Sequence, residues 1–228
     1  MKLSENTISI MKNFGSIYES MVFNKGKVLK TISKSRDILA QCAITEEIPC
    51  DFAIYDVNNF LSVISLYKET PELSFTEKSV ILSGLGGRSK MEYRFCPRDL
   101  VTSPPEKNIS MPSSEVQLTL TKQDFAWIKN VSNIISTPNI SVKSDGKKIK
   151  IVSYDSSDDA SATNELEIAD GNGDKYDLIF KTEALIKMYD SNYNVTISSK
   201  GVGHFVSTEL DLQYWITTQP GSSFTKGE

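Results

Sequence analysis

One pattern constrains this chain more than any other, a phrase written four times. A short alternating strand runs into a small polar residue, and an amphipathic helix follows. Residues 1–3 lead to Ser4 and a helix reaching about Ile17, and Phe52-Ala53-Ile54-Tyr55 leads to Asp56 and a helix reaching about Tyr67. Val116-Gln117-Leu118-Thr119-Leu120 leads to Thr121 and a helix reaching about Ile135. Tyr176-Asp177-Leu178-Ile179-Phe180 leads to Thr182 and a shorter helix reaching about Tyr189. Ser, Asp and Thr suit these positions because their oxygens accept the unpaired N–H groups of a first helical turn. Between the helices the sequence alternates on a two-residue period, as in Val80-Ile81-Leu82, Met91-Glu92-Tyr93-Arg94-Phe95, Ile149-Lys150-Ile151-Val152 and Leu210-Asp211-Leu212-Gln213-Tyr214-Trp215. Turn residues separate these runs: Asn24-Lys25-Gly26, Gly84-Leu85-Gly86-Gly87, Ser144-Asp145-Gly146 and Asp170-Gly171-Asn172-Gly173. The pattern predicts an α+β fold with helices set among antiparallel strands.

Proline divides the four phrases into two pairs. Pro97, Pro104, Pro105 and Pro112 are four of the eight prolines and fall within sixteen residues, in a serine-rich stretch of little periodicity. That stretch reads as an extended connector over 98–113, between an N-terminal domain over 1–97 and a C-terminal domain over 114–228. From Asn139 to Gln219 there is no proline, as a sheet whose strands need their N–H groups requires. The last residues, from about 220 to 228, read as a flexible tail.

The helix faces are expected to be amphipathic. Ile8, Met11, Phe14 and Ile17 form one stripe, and Val57, Phe60, Leu61 and Ile64 the second. Phe125, Ile128, Val131, Ile134 and Ile135 form the third, and Leu185, Ile186 and Tyr189 the fourth. Acids sit only near the helix starts, at Glu5, Asp56, Asp124 and Glu183, and each helix carries a lysine further along: Lys12, Lys68, Lys129 and Lys187. Two readings fit this arrangement. One is plain complementarity to the helix dipole. The other is a smooth, mildly positive surface facing a phosphate backbone. Composition does not decide between them.

Charge argues against a protein that grips nucleic acid electrostatically, because the net is −4, from 25 basic and 29 acidic residues. The basic residues lean to the first half, which holds all four arginines, Arg36, Arg88, Arg94 and Arg98. Three cysteines without a CxxC pair argue against a disulfide framework or a cysteine-rich zinc site. The single histidine, His204, excludes a multi-histidine metal site, and no nucleophile–base pair supports catalysis, so no catalytic residue, metal or cofactor is expected. No apolar run is long enough for a transmembrane helix, and no signal peptide is evident, so the chain reads as intracellular. On that reading the sequons at Asn108, Asn130, Asn139 and Asn194 carry no meaning.

Met1-Lys2-Leu3-Ser4, then Lys12-Asn13-Phe14, then Ala53-Ile54-Tyr55-Asp56-x-Asn58-x-Phe60-Leu61-x-x-x-Ser65-Leu66 closely resembles the DNA polymerase sliding clamps of T-even-type bacteriophages. The close match covers the first third of the chain. The remainder fits in length, in strand–helix order and in the place of the connector. The resemblance implies a DNA-clamp fold of two similar domains, each with two helices packed on antiparallel sheets, assembling into a six-domain homotrimeric ring. It further implies a non-enzymatic processivity factor in the cytoplasm of an infected bacterial host, with no membrane association. Such a clamp encircles duplex DNA without sequence preference, tethers DNA polymerase and is opened by a clamp-loader ATPase. Phage late-transcription factors are a further partner class. Retention is then topological, so a net negative charge is no objection.

On this resemblance the DNA-facing residues are Lys12, Asn13, Lys68, Lys122, Lys129, Asn133 and Lys187. Arg88 and Lys90 reach either DNA or a neighbouring subunit. A partner-peptide pocket is expected from the connector residues Leu100, Val101, Ile109 and Met111 with Tyr214 and Trp215. The alternatives are a β-rich phage virion or carbohydrate-binding module, against which the fourfold repeat argues, and a small hydrolase, which lacks supporting residues.

Two other motifs are set aside. Gly84-Leu85-Gly86-Gly87-Arg88-Ser89-Lys90 lacks phosphate-loop spacing and is flanked by strands on both sides, so it reads as a hairpin. Asp170-Gly171-Asn172-Gly173-Asp174 lacks the sixth-position glycine and twelfth-position glutamate of a calcium loop and reads as a solvated turn. The acidic run Asp155-Ser156-Ser157-Asp158-Asp159 reads as an exposed loop.

Overall fold

The structure is a computed structural model that describes residues 1–107, 109–158 and 160–227. The sequon asparagine at 108, the last acid of the run at 159 and the final residue of the tail at 228 lie outside the described residues. The chain forms two compact units, Met1–Asn108 and Ile109–Glu228.

Unit 1 begins with α1 (Glu5–Ile17), followed by β1 (Met21–Phe23), β2 (Gly26–Ile32), β3 (Ile38–Ile48), β4 (Phe52–Ile54), α2 (Val57–Ser65), β5 (Glu72–Phe75), β6 (Ser79–Gly84) and β7 (Ser89–Arg94). β1 pairs with β4, β2 with β3, and β5-β6-β7 form a three-stranded sheet, all antiparallel. The expected strand over residues 1–3 does not form. Met1 instead exchanges two backbone hydrogen bonds with Leu73, donating through its amino group and accepting from the Leu73 N–H, each at 2.7 Å.

Ser4 caps α1, its Oγ accepting from the Thr7 N–H at 3.2 Å. A second acceptor arrives from β3, where Glu46 takes the Ser4 N–H and the Thr7 hydroxyl. The buried arc of α1 is Thr7, Ile10, Met11, Phe14, Gly15 and Ile17, which differs from the predicted stripe in leaving Ile8 half-buried. The arc is wide because α1 packs against β3 on one side and α2 on the other. At the helix crossing a Cβ on Gly15 would stand 2.7 Å from Asn58 Oδ1, so the glycine permits the close approach, and the Asn58 amide donates to the Gly15 carbonyl at 3.3 Å. Below the helices Phe52 stacks between Phe23 and Phe95, with ring centroids 4.5 and 4.6 Å away. Such pairs contribute beyond the area they bury.

Unit 2 contains β8 (Val116–Leu120), α3 (Lys122–Ile134), β9 (Asn139–Asp145), β10 (Lys148–Tyr154), β11 (Asn164–Asp170), β12 (Lys175–Lys181), α4 (Thr182–Leu185), β13 (Tyr193–Ser198), β14 (Val202–Ser207), β15 (Leu212–Thr217) and β16 (Ser223–Thr225). One antiparallel sheet runs β11-β10-β9-β12-β16, and a second runs β15-β14-β13-β8. β16 places part of the expected flexible tail on a sheet edge. Tyr193 lies at the centre of the core, with the rings of Phe125, Phe205 and Tyr214 around it edge-on.

Three helix expectations need correction. α4 is a single turn rather than a helix reaching Tyr189, and its cap is Lys181, which makes no side-chain capping bond, rather than Thr182. The Tyr189 N–H is taken by the Tyr214 hydroxyl at 3.1 Å and its carbonyl by the Tyr193 hydroxyl, so core tyrosines claim the backbone groups a longer helix would use. α2 stops at Ser65, so Lys68 lies in the turn beyond it. On α3 only Phe125, Ile128 and Ser132 are buried, and Ile134 is 81% exposed despite its place in the predicted apolar stripe.

Candidate nucleic-acid interface

The exposed faces of α1 and α2 are small and polar, while α3 adds Trp127 and Ile134 to a polar face. α1 shows Asn6, Lys12 and Ser16, with Asn13 half-buried and hydrogen-bonded. α2 shows Asn58, Asn59, Ser62 and Ser65, and α3 shows Lys122, Gln123, Asn130 and Asn133. Asn133 also borders a polar cleft of about 590 Å³ with Asn139, Ser156, Lys181 and Glu183. Among the described residues no carboxylate lies on an exposed helix face beyond the first turn, where Glu5 and Asp124 meet the positive end of the dipole. Lys122 is held at the start of α3, its N–H donating to Asn192 Oδ1 at 2.7 Å, while its side chain is exposed.

The lysines beyond the first turns do not form one set. Lys129 folds back along α3. Its ammonium donates to Asp190 Oδ1 at 2.8 Å and to the Met188 carbonyl at 3.2 Å, and stands 5.1 Å from the centre of the Phe125 ring. Its charge is shared with the turn after α4. Lys187 occupies that same turn, half-buried and already engaged by another group, rather than a helix face. Lys68 is exposed in the turn after α2. There it borders a cleft of about 510 Å³ with Lys2, Glu69, Glu72 and the hairpin residues 84–87. Lys2 is a cation that the sequence pattern did not single out; only the Met1–Leu73 pairing brings it to this place. Arg88 donates to the Leu85 carbonyl at 3.3 Å, and Lys90 is exposed on β7. The hairpin between β6 and β7 turns through Leu85, Gly86 and Gly87 at φ values of 53°, 66° and 84°. It is a left-handed strand-to-strand turn with no helix after it, unlike a phosphate loop.

The residues expected at a partner pocket also separate. Leu100 is 60% exposed at the end of a short turn. Val101 is buried against Val22, Ala53 and Cys96, so it anchors the connector in the core of unit 1 and presents no surface. Arg98 strengthens that anchor through Asp51 at 3.3 Å and Asn24 at 2.9 Å. Ile109 is exposed and Met111 half-buried. The far end of the connector is held by Glu115, which accepts from the Ser199 N–H at 3.0 Å, the Ser199 hydroxyl at 2.9 Å and the Ser113 hydroxyl at 2.8 Å. The Ser199 N–H does most to hold its carboxyl at about 2. Tyr214 is fully buried, a core residue rather than a lining one. Trp215 is 8% exposed and stacks on His204 with centroids 4.6 Å apart. His204 lies 2.9 Å from Gln213 Oε1, and burial pulls its pKa below the usual value, so the ring is neutral at pH 7.

The model of the family described as DNA polymerase processivity factor matches residues 2–95. The sliding clamp of Vibrio phage KVP40 is 30% identical over 225 residues, spanning 96% of this chain and 99% of that protein. The sliding clamps of Escherichia phage RB69 and Enterobacteria phage T4 are 28% and 26% identical, each over 88% of this chain and 89% of their own length. Among solved structures, PCNA from Thermococcus kodakaraensis matches at a TM-score of 0.64 and 12% identity over 94% of this chain and 96% of its own. The DNA polymerase III beta chain of Streptococcus pneumoniae also matches at 0.64, with 15% identity over 94% of this chain and 63% of its own. At such identities the structural matches establish the clamp fold, while the phage relatives span nearly the whole chain and favour a clamp over a virion or carbohydrate-binding module. At 30% identity across nearly its whole length to the KVP40 protein, the chain belongs to the family of T4-like phage sliding clamps, the non-enzymatic processivity factors of DNA polymerase.

Proposed function

We propose that three copies of this chain close into a ring around duplex DNA and hold the polymerase on it in the cytoplasm of an infected bacterium. A clamp-loader ATPase opens and closes the ring. The observation that carries this reading is the character of the helix faces in a chain of net charge −4. Beyond their first turns α1 and α2 expose amides, hydroxyls and the cation Lys12, and α3 exposes Asn130 and Asn133 beside Trp127 and Ile134, with Lys122 at its start. Such a face attracts phosphates weakly and adds little friction, while the negative remainder keeps DNA from binding elsewhere. Lys12, Asn13, Lys122 and Asn133 are the helix residues that face DNA, with Lys68, Lys187, Arg88 and Lys90 supplying charge from turns and the β6–β7 hairpin. Leu100, Ile109, Met111 and the edge of Trp215 are the apolar groups offered to a short segment of the polymerase or of another partner, such as a late-transcription factor.

Loading onto nicked circular DNA tests the ring. The protein stays bound while the circle is closed and leaves once a restriction enzyme opens it. Equal retention on linear DNA with free ends would overturn topological binding.

A further inference from the structure

Two buried hydroxyls of unit 2 have no hydrogen-bond partner, and they lie on one cleft. Thr137 is 3% exposed and Thr182 is 7% exposed. They are two of five side chains among the described residues whose covered polar atom finds no partner. Leaving such a group unpaired is costly, so two on one wall call for a reason. Both threonines line the polar cleft of about 590 Å³. Backbone bonds set them on the same wall: the Thr137 N–H donates to the Ser132 carbonyl at 3.1 Å, and the Thr182 N–H donates to the Pro138 carbonyl at 2.9 Å. A threonine swings its hydroxyl by a single rotamer step, so a ligand in the cleft can draw both oxygens to itself.

The charges around the cleft give the sign of that ligand. Asp155 and Glu183 line it against one cation, Lys181, and Asp158 follows in the same loop. Asp155 is held in place, its Oδ1 accepting from the Ser157 N–H at 2.8 Å and the Ser157 hydroxyl at 2.6 Å. The Ser157 hydroxyl does most to keep that carboxyl below the usual range, so it is ionised at pH 7. The Ser156 hydroxyl donates to Asn139 Oδ1 at 2.9 Å and ties the same loop to β9. Lys181 meets Glu183 only at 3.8 Å, too far for a hydrogen bond, so the Glu183 carboxylate keeps its accepting capacity toward a ligand. α3 adds to the negative side. Its last turn supplies Ser132 and Asn133 to the wall, which brings the negative end of a 13-residue helix dipole to the cleft. α4 is one turn long and offers little field in return.

We propose that this cleft binds an organic cation rich in N–H donors, a guanidinium or an alkylammonium, which donates to the Thr137 and Thr182 hydroxyls and to the Asp155 and Glu183 carboxylates. Pro138 and Ile186 offer the apolar contact that the methylene stem of such a cation needs. The cation is carried by a basic side chain of a partner protein or by a free polyamine, which share this chemistry. Every residue lining the cleft belongs to unit 2, so the site needs neither a second copy of the chain nor DNA.

The test is isothermal titration calorimetry on the full chain at low salt. The probes are N-acetylarginine amide and spermidine, with inorganic phosphate and glucose as controls. At least one cation should bind saturably at one site per chain, and neither control should bind. Asp155→Asn and Glu183→Gln should each weaken binding at least about threefold, and Lys181→Gln should tighten it at least about twofold. Lys181 makes no side-chain capping bond that this last change would remove. Thr137→Val with Thr182→Val should weaken binding at least about fivefold and leave Tm unchanged or raised, because the lost hydroxyls had no partner in the fold. Tighter binding of the arginine amide identifies a basic side chain as the occupant, and tighter binding of spermidine identifies a polyamine. Binding of phosphate in place of the cations, weaker cation binding by Lys181→Gln, or cation binding that the threonine pair leaves unaltered overturns the site. So does the absence of any cation binding, and in a chain still retained on closed circular DNA that result leaves the ring reading standing.

Discussion

The two units write the same phrase and build different helix layers. In unit 1 α1 and α2 pack on one another through Gly15 and Asn58, so α1 is covered from two directions. In unit 2 α4 is a single turn, α3 packs along β10, and Lys129 of α3 reaches Asp190 in the turn beyond α4. The difference teaches that a cap followed by an amphipathic run specifies where a helix starts, while the burial available around it decides how far it extends and which face stays wet.

The sharpest way to break this comparison is to empty matching core positions. Phe14 of α1 is fully buried and Phe125 of α3 nearly so. Phe14→Ala should cost about 3–5 kcal/mol in urea unfolding, and Phe125→Ala about 3 kcal/mol. Equal losses would mean that the second helix adds nothing to the packing of the first.

A smaller effect separates the helix starts. Burial raises the Glu46 pKa, but the hydrogen bonds from Thr7, Ser4 and Thr45 outweigh it and hold the carboxyl at about 2. Its folded pKa lies below the unfolded value near 4.5. Its stabilisation is therefore complete above about pH 4.5 and is lost as pH falls toward 2. Discounted for partial exposure, it is worth about 1 kcal/mol. Glu46→Gln should lower stability at pH 7 and flatten the decline of unit 1 between pH 5 and pH 2. α3 is capped locally by Thr121, whose Oγ1 accepts from the Asp124 N–H at 3.1 Å, and should show no matching dependence on a distant carboxylate. An unchanged acid-unfolding curve in the variant would remove Glu46 from the capping of α1.

The smallest effect on stability distinguishes two lysines. Lys12→Ala should leave the unfolding free energy within about 0.5 kcal/mol, because Lys12 is exposed on α1. It should reduce the slope of log binding against log salt by about 0.9 for each of its phosphate contacts. Lys129→Ala should do the reverse, with a measurable loss of stability and no change in the salt slope. A salt slope altered equally by both would return Lys129 to the DNA-facing set.

Much of the fold was legible because its signals are local. Ser4, Asp56 and Thr121 each cap the helix expected of them, since a capping bond spans three residues and needs nothing else. The hairpins at 84–87 and 170–173 are written in glycines that tolerate positive φ. The candidate site was legible only in part. Lys12 and Lys122 could be placed from helical periodicity, but Lys68 and Lys187 could not, because their helices end early. Val101 and Tyr214 have the composition of a binding surface and lie in the cores. Nothing local distinguishes a hydrophobic residue that receives a partner from one that fills its own domain.

By itself the sequence determined the class of fold and the starts of α1, α2 and α3, which follow from periods of two and 3.6 and from residues a few positions apart, and its resemblance to the phage clamps gave the family. Tertiary structure alone decided the length of α4, the retreat of Lys129 from solvent, the arrival of Lys2 beside Lys68 and the exposure of Trp127 and Ile134. These outcomes depend on partners tens of residues away: the Tyr214 hydroxyl at Tyr189, Asp190 at Lys129 and Leu73 at Met1. A backbone group or charge goes to whichever partner the folded chain brings within about 3 Å, and that competition is settled only after distant strands have met.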